Sequence, residues 1–415
     1  MATWWRQTGG GLPRTFWYLW TATLINRLGG FVAIYLGVYL VSVRHFDPSY
    51  AGVVIGLHGA GSALGTLLGG IIADRWGRRP AMLAGNLSAA VTAAALGLTG
   101  HPVAIAALTL SLGLCLGVAR PAFTATIIDV VGDRDRLRAL TLNYWAINIG
   151  FSVAATLAGV LIRADPVLLF VVNAAVLLGT AALIAVKVPE SRPAPEVVGP
   201  RAPADRGGLG TVLRDRVFLT FTALTGLIWL CIEADVMLPV ALQADGLPAS
   251  AYGPVIAVNG LMIVVGQLFV PRLIARFDRS RTIALAAVVI GTGFALTALA
   301  DTVWFYAGTV MVWTLGEMLM TPANSALTAD LSPTAQRGRY QGVYSLGHAF
   351  ASFAGPTVGG LVTGRFGDTT LWLGLAGLAL LVALGNLLAG PARTRRIAAL
   401  RVPAPAPARP EPAPV

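Results

Sequence analysis

Gly70-Ile71-Ile72-Ala73-Asp74-Arg75-Trp76-Gly77-Arg78-Arg79-Pro80 lies between two long apolar stretches, and its reading decides the fold. An apolar run stops at an acid, three arginines and a glycine make a short turn, and a second apolar run begins. Gly77 permits a tight turn. Asp74 ends the first run where it can accept hydrogen bonds or face a helix N-terminus. The arginines can pair with acids elsewhere, such as Asp129 near the end of a later apolar run. A turn that only marked membrane orientation would explain the arginines, but not Asp74 and both glycines.

Outward from this turn, apolar runs of about 20 residues recur along the whole chain, each long enough to cross a hydrocarbon core. The 415 residues are 56% hydrophobic and 12% charged, about half the charged fraction of a soluble domain. The expected fold class is an all-α membrane protein of twelve transmembrane helices. The spans are read at 15–43, 50–73, 80–100, 102–130, 139–163, 166–188, 216–243, 250–275, 281–300, 303–329, 338–365 and 369–391. The first is too long for a signal-peptide core and lacks a cleavage site, so it is expected to stay.

The basic residues fix an expected orientation. Outside the spans only Arg44, Arg163 and Arg365 fall on one side; all the others fall on the opposite side, which is therefore read as cytoplasmic, with both termini. The net charge of +11 is thus membrane orientation and gives no sign of a nucleic-acid surface. Cys115 and Cys231 lie in spans and suggest neither a disulfide nor a metal site. No G-K-[ST] triplet follows a glycine-rich loop, so the chain is not itself a P-loop pump. No enzyme activity, catalytic residue, metal or cofactor is expected, and uphill work must draw on an ion gradient.

The domains are read as a six-helix bundle over 1–188, a linker rich in Pro, Gly, Ala and Arg over 189–215, a second bundle over 216–391, and a disordered cytoplasmic tail over 392–415. An offset of 201 residues superposes the halves: Pro121 falls on Pro322, Asp129 on Asp330, Arg136 on Arg337 and Arg78 on Arg279. Parallel six-span repeats about an axis normal to the membrane are the layout of the major facilitator fold, with substrate near the midplane between the halves.

Five charges sit inside the spans: Arg27, Arg120, Glu233, Asp235 and Glu317, on the first, fourth, seventh and tenth. A charge there costs several kcal/mol unless paired, hydrated or facing a polar cavity. One shared polar cavity is therefore expected. Glu233 and Asp235, two residues apart, should point about 200° apart on a helix unless Pro239 distorts it. A desolvated carboxyl can exchange protons near neutral pH, so Glu317 and Asp235 are the proton-coupling candidates. Arg27 stays charged and is read as a counter-charge or an anchor for substrate; Arg120 is read as an internal partner belonging with the gate. Substrate contacts are expected at Arg27, Glu233, Asp235, Glu317, Asn143 and the aromatics beside the charges, Tyr144 and Trp313. His58 and His348 are read as hydrogen-bonded packing residues.

The opening turn resembles the major facilitator signature G-x-L-A-D-R-x-G-R-[KR] at nearly every position. That resemblance implies a gating latch of Asp74, Arg75, Gly77, Arg78 and Arg79 that holds the outward-facing state. Thr314-Leu315-Gly316-Glu317 with Thr321-Pro322, Leu238-Pro239-Val240 and Tyr144-Trp145-Ala146 make the chain similar to the drug/proton antiporter branch, and within it to LmrP-type multidrug exporters. The resemblance implies a proton- and drug-binding role for Glu317, a matching acid in Asp235, and a part for Asp129 in protonation and gating. Three departures stand out. The fifth span lacks the branch's proline, although Gly355-Pro356-Thr357-Val358-Gly359-Gly360 carries a similar run in the eleventh. Asn143 takes the place of an acid. Glu233, Arg27 and Arg120 are additional charges, and the two arginines suit a zwitterionic or anionic substrate, or neutralise the added acid.

The reading is a proton-coupled antiporter of the inner membrane, working as a monomer, that exports drugs or other small organic compounds. Its expected partners are that substrate, protons and the lipid bilayer. The rivals are a proton-coupled importer of a peptide or sugar and, from another class, a lipid flippase or membrane sensor.

Overall fold

The computed structural model describes residues 10–191, 209–266, 269–274, 276–333 and 336–401. Twelve helical passages cross the molecule, and no strand occurs among the described residues. The first half comprises Arg14–Leu28 continued by Phe31–Val38 and a π turn Tyr39–Val43 (span 1), Pro48–Trp76 (2), Arg78–Leu98 (3), Pro102–Val130 (4), Arg136–Ala164 (5) and Val167–Lys187 (6). The second comprises Arg216–Glu233, a 3-10 turn Ala234–Met237 and Leu238–Ala244 (7), Tyr252–Gly266 (8), Arg279–Thr297 (9), Val303–Leu331 (10), Arg337–Phe366 (11) and Asp368–Arg401 (12). Spans 2, 4, 5 and 10 have 29 residues each, about 43 Å of helix, which covers hydrocarbon core and headgroups together. Eleven passages are apolar enough to cross a membrane by composition. Span 11 is diluted by glycines, serines and His348, yet its 30 residues give it the same reach.

The repeat is visible in the helix boundaries. Arg78 and Arg279, Pro102 and Val303, and Arg136 and Arg337 open equivalent helices, each pair 201 residues apart. Arg78 pairs with Asp129, and its equivalent Arg279 pairs with Asp330. The Ser42 hydroxyl donates to Gln243 Oε1, a residue one full repeat away, so the two halves touch near their pseudo-axis.

The halves are sealed at one end only. At the end away from the termini, a methyl group on Gly52 would lie 2.7 Å from Gly360 Cα, and one on Gly56 2.6 Å from the Phe353 carbonyl. Spans 5 and 8 meet in the same way, Gly253 against Ala155 and Gly260 against Ser152. Small residues let the backbones approach this closely. The Tyr35 and Tyr252 rings pack edge to face across the seam, 5.4 Å apart. One buried apolar cluster is continuous through both halves here. Towards the terminal end the core divides into two clusters, one from the first half alone and one from the second. Gly70, Gly338 and Gly342, at that end of spans 2 and 11, have nothing within 4 Å of a Cβ.

Two boundaries differ from expectation. The last helix continues through Pro391 to Arg401, so the first part of the expected disordered tail is helical. Its Arg393 is buried, donating to Asn386 Oδ1 at 2.8 Å, and Arg396 pairs with Asp215. These contacts hold a segment whose composition alone reads as tail. Within the expected linker, Leu209–Arg214 is a short helix. Residues 192–208 and 402–415, the remainder of linker and tail, lie outside the described residues.

The seam gives a test. Ser49→Cys with Gly364→Cys should crosslink across the sealed end, because Gly364 abuts Ser49. Adding Gly52→Leu should abolish the crosslink and destabilise this conformation by about 1–3 kcal/mol through overpacking, read as a lower melting temperature.

Candidate functional site

Spans 1 and 7 both break beside intramembrane charges. In span 1 the helix ends at Leu28, and the Gly29 N–H bonds to the Ile25 carbonyl as its cap. Span 6 explains the glycine: a Cβ at Gly29 would collide with the Val176 side chain. Arg27 thus occupies the last turn of a half-helix, where the dipole favours a cation. In span 7, Pro239 has no N–H to offer the Asp235 carbonyl. That carbonyl accepts instead from Leu238 N, three residues on, which makes the local 3-10 turn. The turn alters the angle between Glu233 and Asp235, and the two end in different surroundings.

Between the halves lies a cavity of about 370 Å³. The first half lines it with Arg27, Arg120, His58 and Asn143; the second contributes Asp235 and Tyr252. Neither guanidinium has an ion pair or a side-chain hydrogen bond among the described residues. The His58 Nε2 and Asn143 Oδ1 atoms are buried without a hydrogen-bond partner there. Three further asparagines border the space. The Asn26 amide donates to Asn86 Oδ1 at 2.9 Å, and Asn173 Oδ1 accepts from the Val32 N–H at 3.4 Å.

Glu317 opens on a second, smaller cavity of about 190 Å³, with Tyr144, Met318 and Thr321. The Asn259 amide donates to Glu317 Oε2 and to Thr314 Oγ1, each at 3.0 Å. Glu233 lines neither cavity. The Ser352 hydroxyl donates to its Oε1 at 3.0 Å, and His348 Nδ1 lies 3.6 Å away, its ring packed on Trp229.

Several expectations change. The five charges do not share one pocket lining: Arg27, Arg120 and Asp235 face the larger space, Glu317 the smaller. Arg120 makes no ion pair in contact among the described residues, although it and Glu233 feel each other's field, and it sits on the cavity wall, away from the turn expected to gate. Trp313 does not reach either cavity; it is 2% exposed, stacked on Phe294 and backed against Gly293, because its position faces span 9. Tyr144 and Asn143 do reach them, one each. Glu233 is turned towards span 11 rather than the larger cavity. His348 is a neighbour of an acid, not plain packing. Asn26, Asn86, Asn173 and Asn259 escape a reading centred on formal charge, although an amide within an apolar span is itself a signal.

At the opening turn, Gly77 has φ of 112°, a conformation that suits glycine. Arg78 pairs with both Asp74 and Asp129 within its own half. The helix N-terminus of span 3 is satisfied by Glu190, not by Asp74: Glu190 accepts from the Arg78 and Arg79 N–H groups at 2.8 and 3.1 Å. Ser191 donates to Asp129 Oδ2 at 3.2 Å. The chain leaving span 6 is thereby fastened to the turn.

The family described as Major Facilitator Superfamily matches residues 19–319 and 234–414. Among curated relatives, the multidrug resistance protein MdtH of Klebsiella pneumoniae is 27% identical over 370 residues, covering 83% of this chain and 85% of that protein. A Na(+), Li(+), K(+)/H(+) antiporter of Planococcus maritimus is 24% identical, covering 78% and 83%. The solved nucleoside transporter NupG superposes with a TM-score of 0.79 at 17% identity, over 91% of this chain and 100% of that one.

Replacing Glu190 by alanine removes two acceptors from a helix N-terminus. A loss of about 0.5–2 kcal/mol is expected, measured by thermal unfolding of the purified protein, with Glu190→Gln losing less.

Proposed function

Because the chain belongs to the Major Facilitator Superfamily and is a multi-pass membrane transporter, we propose that it is a proton-coupled antiporter exporting small organic compounds across a bacterial inner membrane. The observation that carries this reading is the company kept by its three intramembrane acids. Among the described residues none touches a guanidinium. Glu317 is bonded to an amide and Glu233 to a hydroxyl. An amide can donate to a carboxylate, or turn its oxygen to accept from a carboxylic acid. A hydroxyl can do the same. Such a site takes up and gives back a proton without leaving a broken ion pair behind.

The arginine-rich ends of the spans support a cytoplasmic position for the termini. The cavity open towards the terminal end is then an inward-facing one, ready to receive substrate from the cell. Arg78, held by Asp74 and Asp129 of its own half, is the latch in its released state. Proton uptake by Asp235 or Glu317 from outside would displace substrate, and proton loss to the cytoplasm would restore the acid for the next molecule. The names of the relatives, a multidrug resistance protein and a cation/proton antiporter, agree with this direction.

In proteoliposomes with an imposed proton gradient, Glu317→Gln should abolish gradient-driven substrate movement while the protein still elutes as a single folded species. Coupled transport at the wild-type rate in that variant would remove Glu317 from the mechanism.

A further inference from the structure

The cavity is divided by charge. Arg27 and Arg120, with His58 beside them, line the larger space from the first half and Asp235 lines it from the second, while Glu317 lines the smaller cavity and Glu233 neither. The arginines are close enough to feel each other's field, and like charges facing one low-polarity space repel. Arg120 and Glu233 feel each other's field, but no ion pair in contact crosses the cavity among the described residues. Each guanidinium therefore keeps its fork of donors available to something else.

We propose that the substrate is a small zwitterion, its anionic group held by Arg27 and Arg120 and its cationic group by Asp235. This rests on the reading of the protein as a transporter. A carboxylate or similar anion between the two guanidiniums relieves their repulsion and gains charge-assisted hydrogen bonds. The buried His58 Nε2 beside Arg120 is a further unfilled polar position on that wall. A plain cation would meet two uncompensated positive charges, and a plain anion would leave Asp235 in the same space without a partner. Both are rejected by the pole they cannot use. The volume of about 370 Å³ is at the small end of ligand pockets, which run from about 300 to 1,000 Å³. Protonation of Asp235 would cancel the cation's partner, so the same event that carries the proton loosens the substrate. A zwitterion also ties one half to the other, which a singly charged ligand does not.

The test uses matched triplets on one scaffold, with purified full-length protein at neutral pH. The first triplet is leucyl-tryptophan, its C-terminal amide as the cation and its N-acetyl form as the anion. The second is 4-(aminomethyl)benzoic acid with its methyl ester and its N-acetyl form. On at least one scaffold the zwitterion should bind about tenfold or more tightly than either relative, the size expected for one charge-assisted hydrogen bond. Arg27→Gln and Arg120→Gln should each erase its advantage over the cation, and Asp235→Asn its advantage over the anion. A cation bound as tightly as the zwitterion, no zwitterion-specific binding on either scaffold, or an advantage that survives in the Arg27→Gln/Arg120→Gln double variant would each overturn the assignment. Proteoliposomes separate the two levels. Gradient-driven movement of the cation alone would overturn the substrate class and keep the transporter reading. A zwitterion that binds but does not respond to the gradient would do the reverse.

Discussion

The structure depends on backbone-to-backbone packing between the halves at the end away from the termini. Gly52, Gly56 and Gly59 of span 2 lie against span 11, and Gly253 and Gly260 of span 8 lie against span 5. These two seams are images of each other under the repeat. In a bilayer, helices gain little from hiding apolar side chains, since lipid is equally apolar, so close packing of small residues supplies the attraction. It also confines the contact to one end. Beyond Gly59 the helices separate and the cavity begins, so the same glycines fix both the sealed end and the position of the polar site beneath it.

The site follows from what the breaks in spans 1 and 7 do to the chain. A continuous helix would have carried Glu233 and Asp235 on nearly opposite faces. Pro239 converts one turn to 3-10, leaving Asp235 on the cavity wall and Glu233 against Ser352 of span 11. Ser352 itself adjoins Gly59 at the edge of the seam. The acid nearest the sealed end is therefore bonded to a helix that makes the seal, while Asp235 faces the cavity.

The opening turn and the repeat were legible in the sequence for the same reason. Residues such as Gly77, Arg78 and Asp129 are demanded by local geometry and by a partner at fixed spacing, and the offset of 201 residues recurs in the ion pairs Arg78–Asp129 and Arg279–Asp330. Glu190 was not legible. It lies 112 residues from the amide it caps, and nothing in its neighbours marks it. Trp313 was misread because residues four apart share a helix side without sharing a neighbour: Trp313 backs on Gly293 of span 9, while Glu317 meets Asn259 of span 8. The neutral partners Asn259 and Ser352 were overlooked because attention to formal charge passes over the groups that make a carboxyl tolerable in a membrane.

The sequence by itself determined the membrane class, the span count, the two halves and the charges that must have a purpose, because lipid tolerates neither unpaired backbone nor idle ions. Only the tertiary structure decided how those charges are grouped: Arg27, Arg120 and Asp235 on one cavity, Glu317 on another and Glu233 on neither, with no ion pair joining them among the described residues. Which side chains face a common space depends on helix breaks, crossing geometry and the contacts of remote glycines, and no local pattern along the chain encodes those.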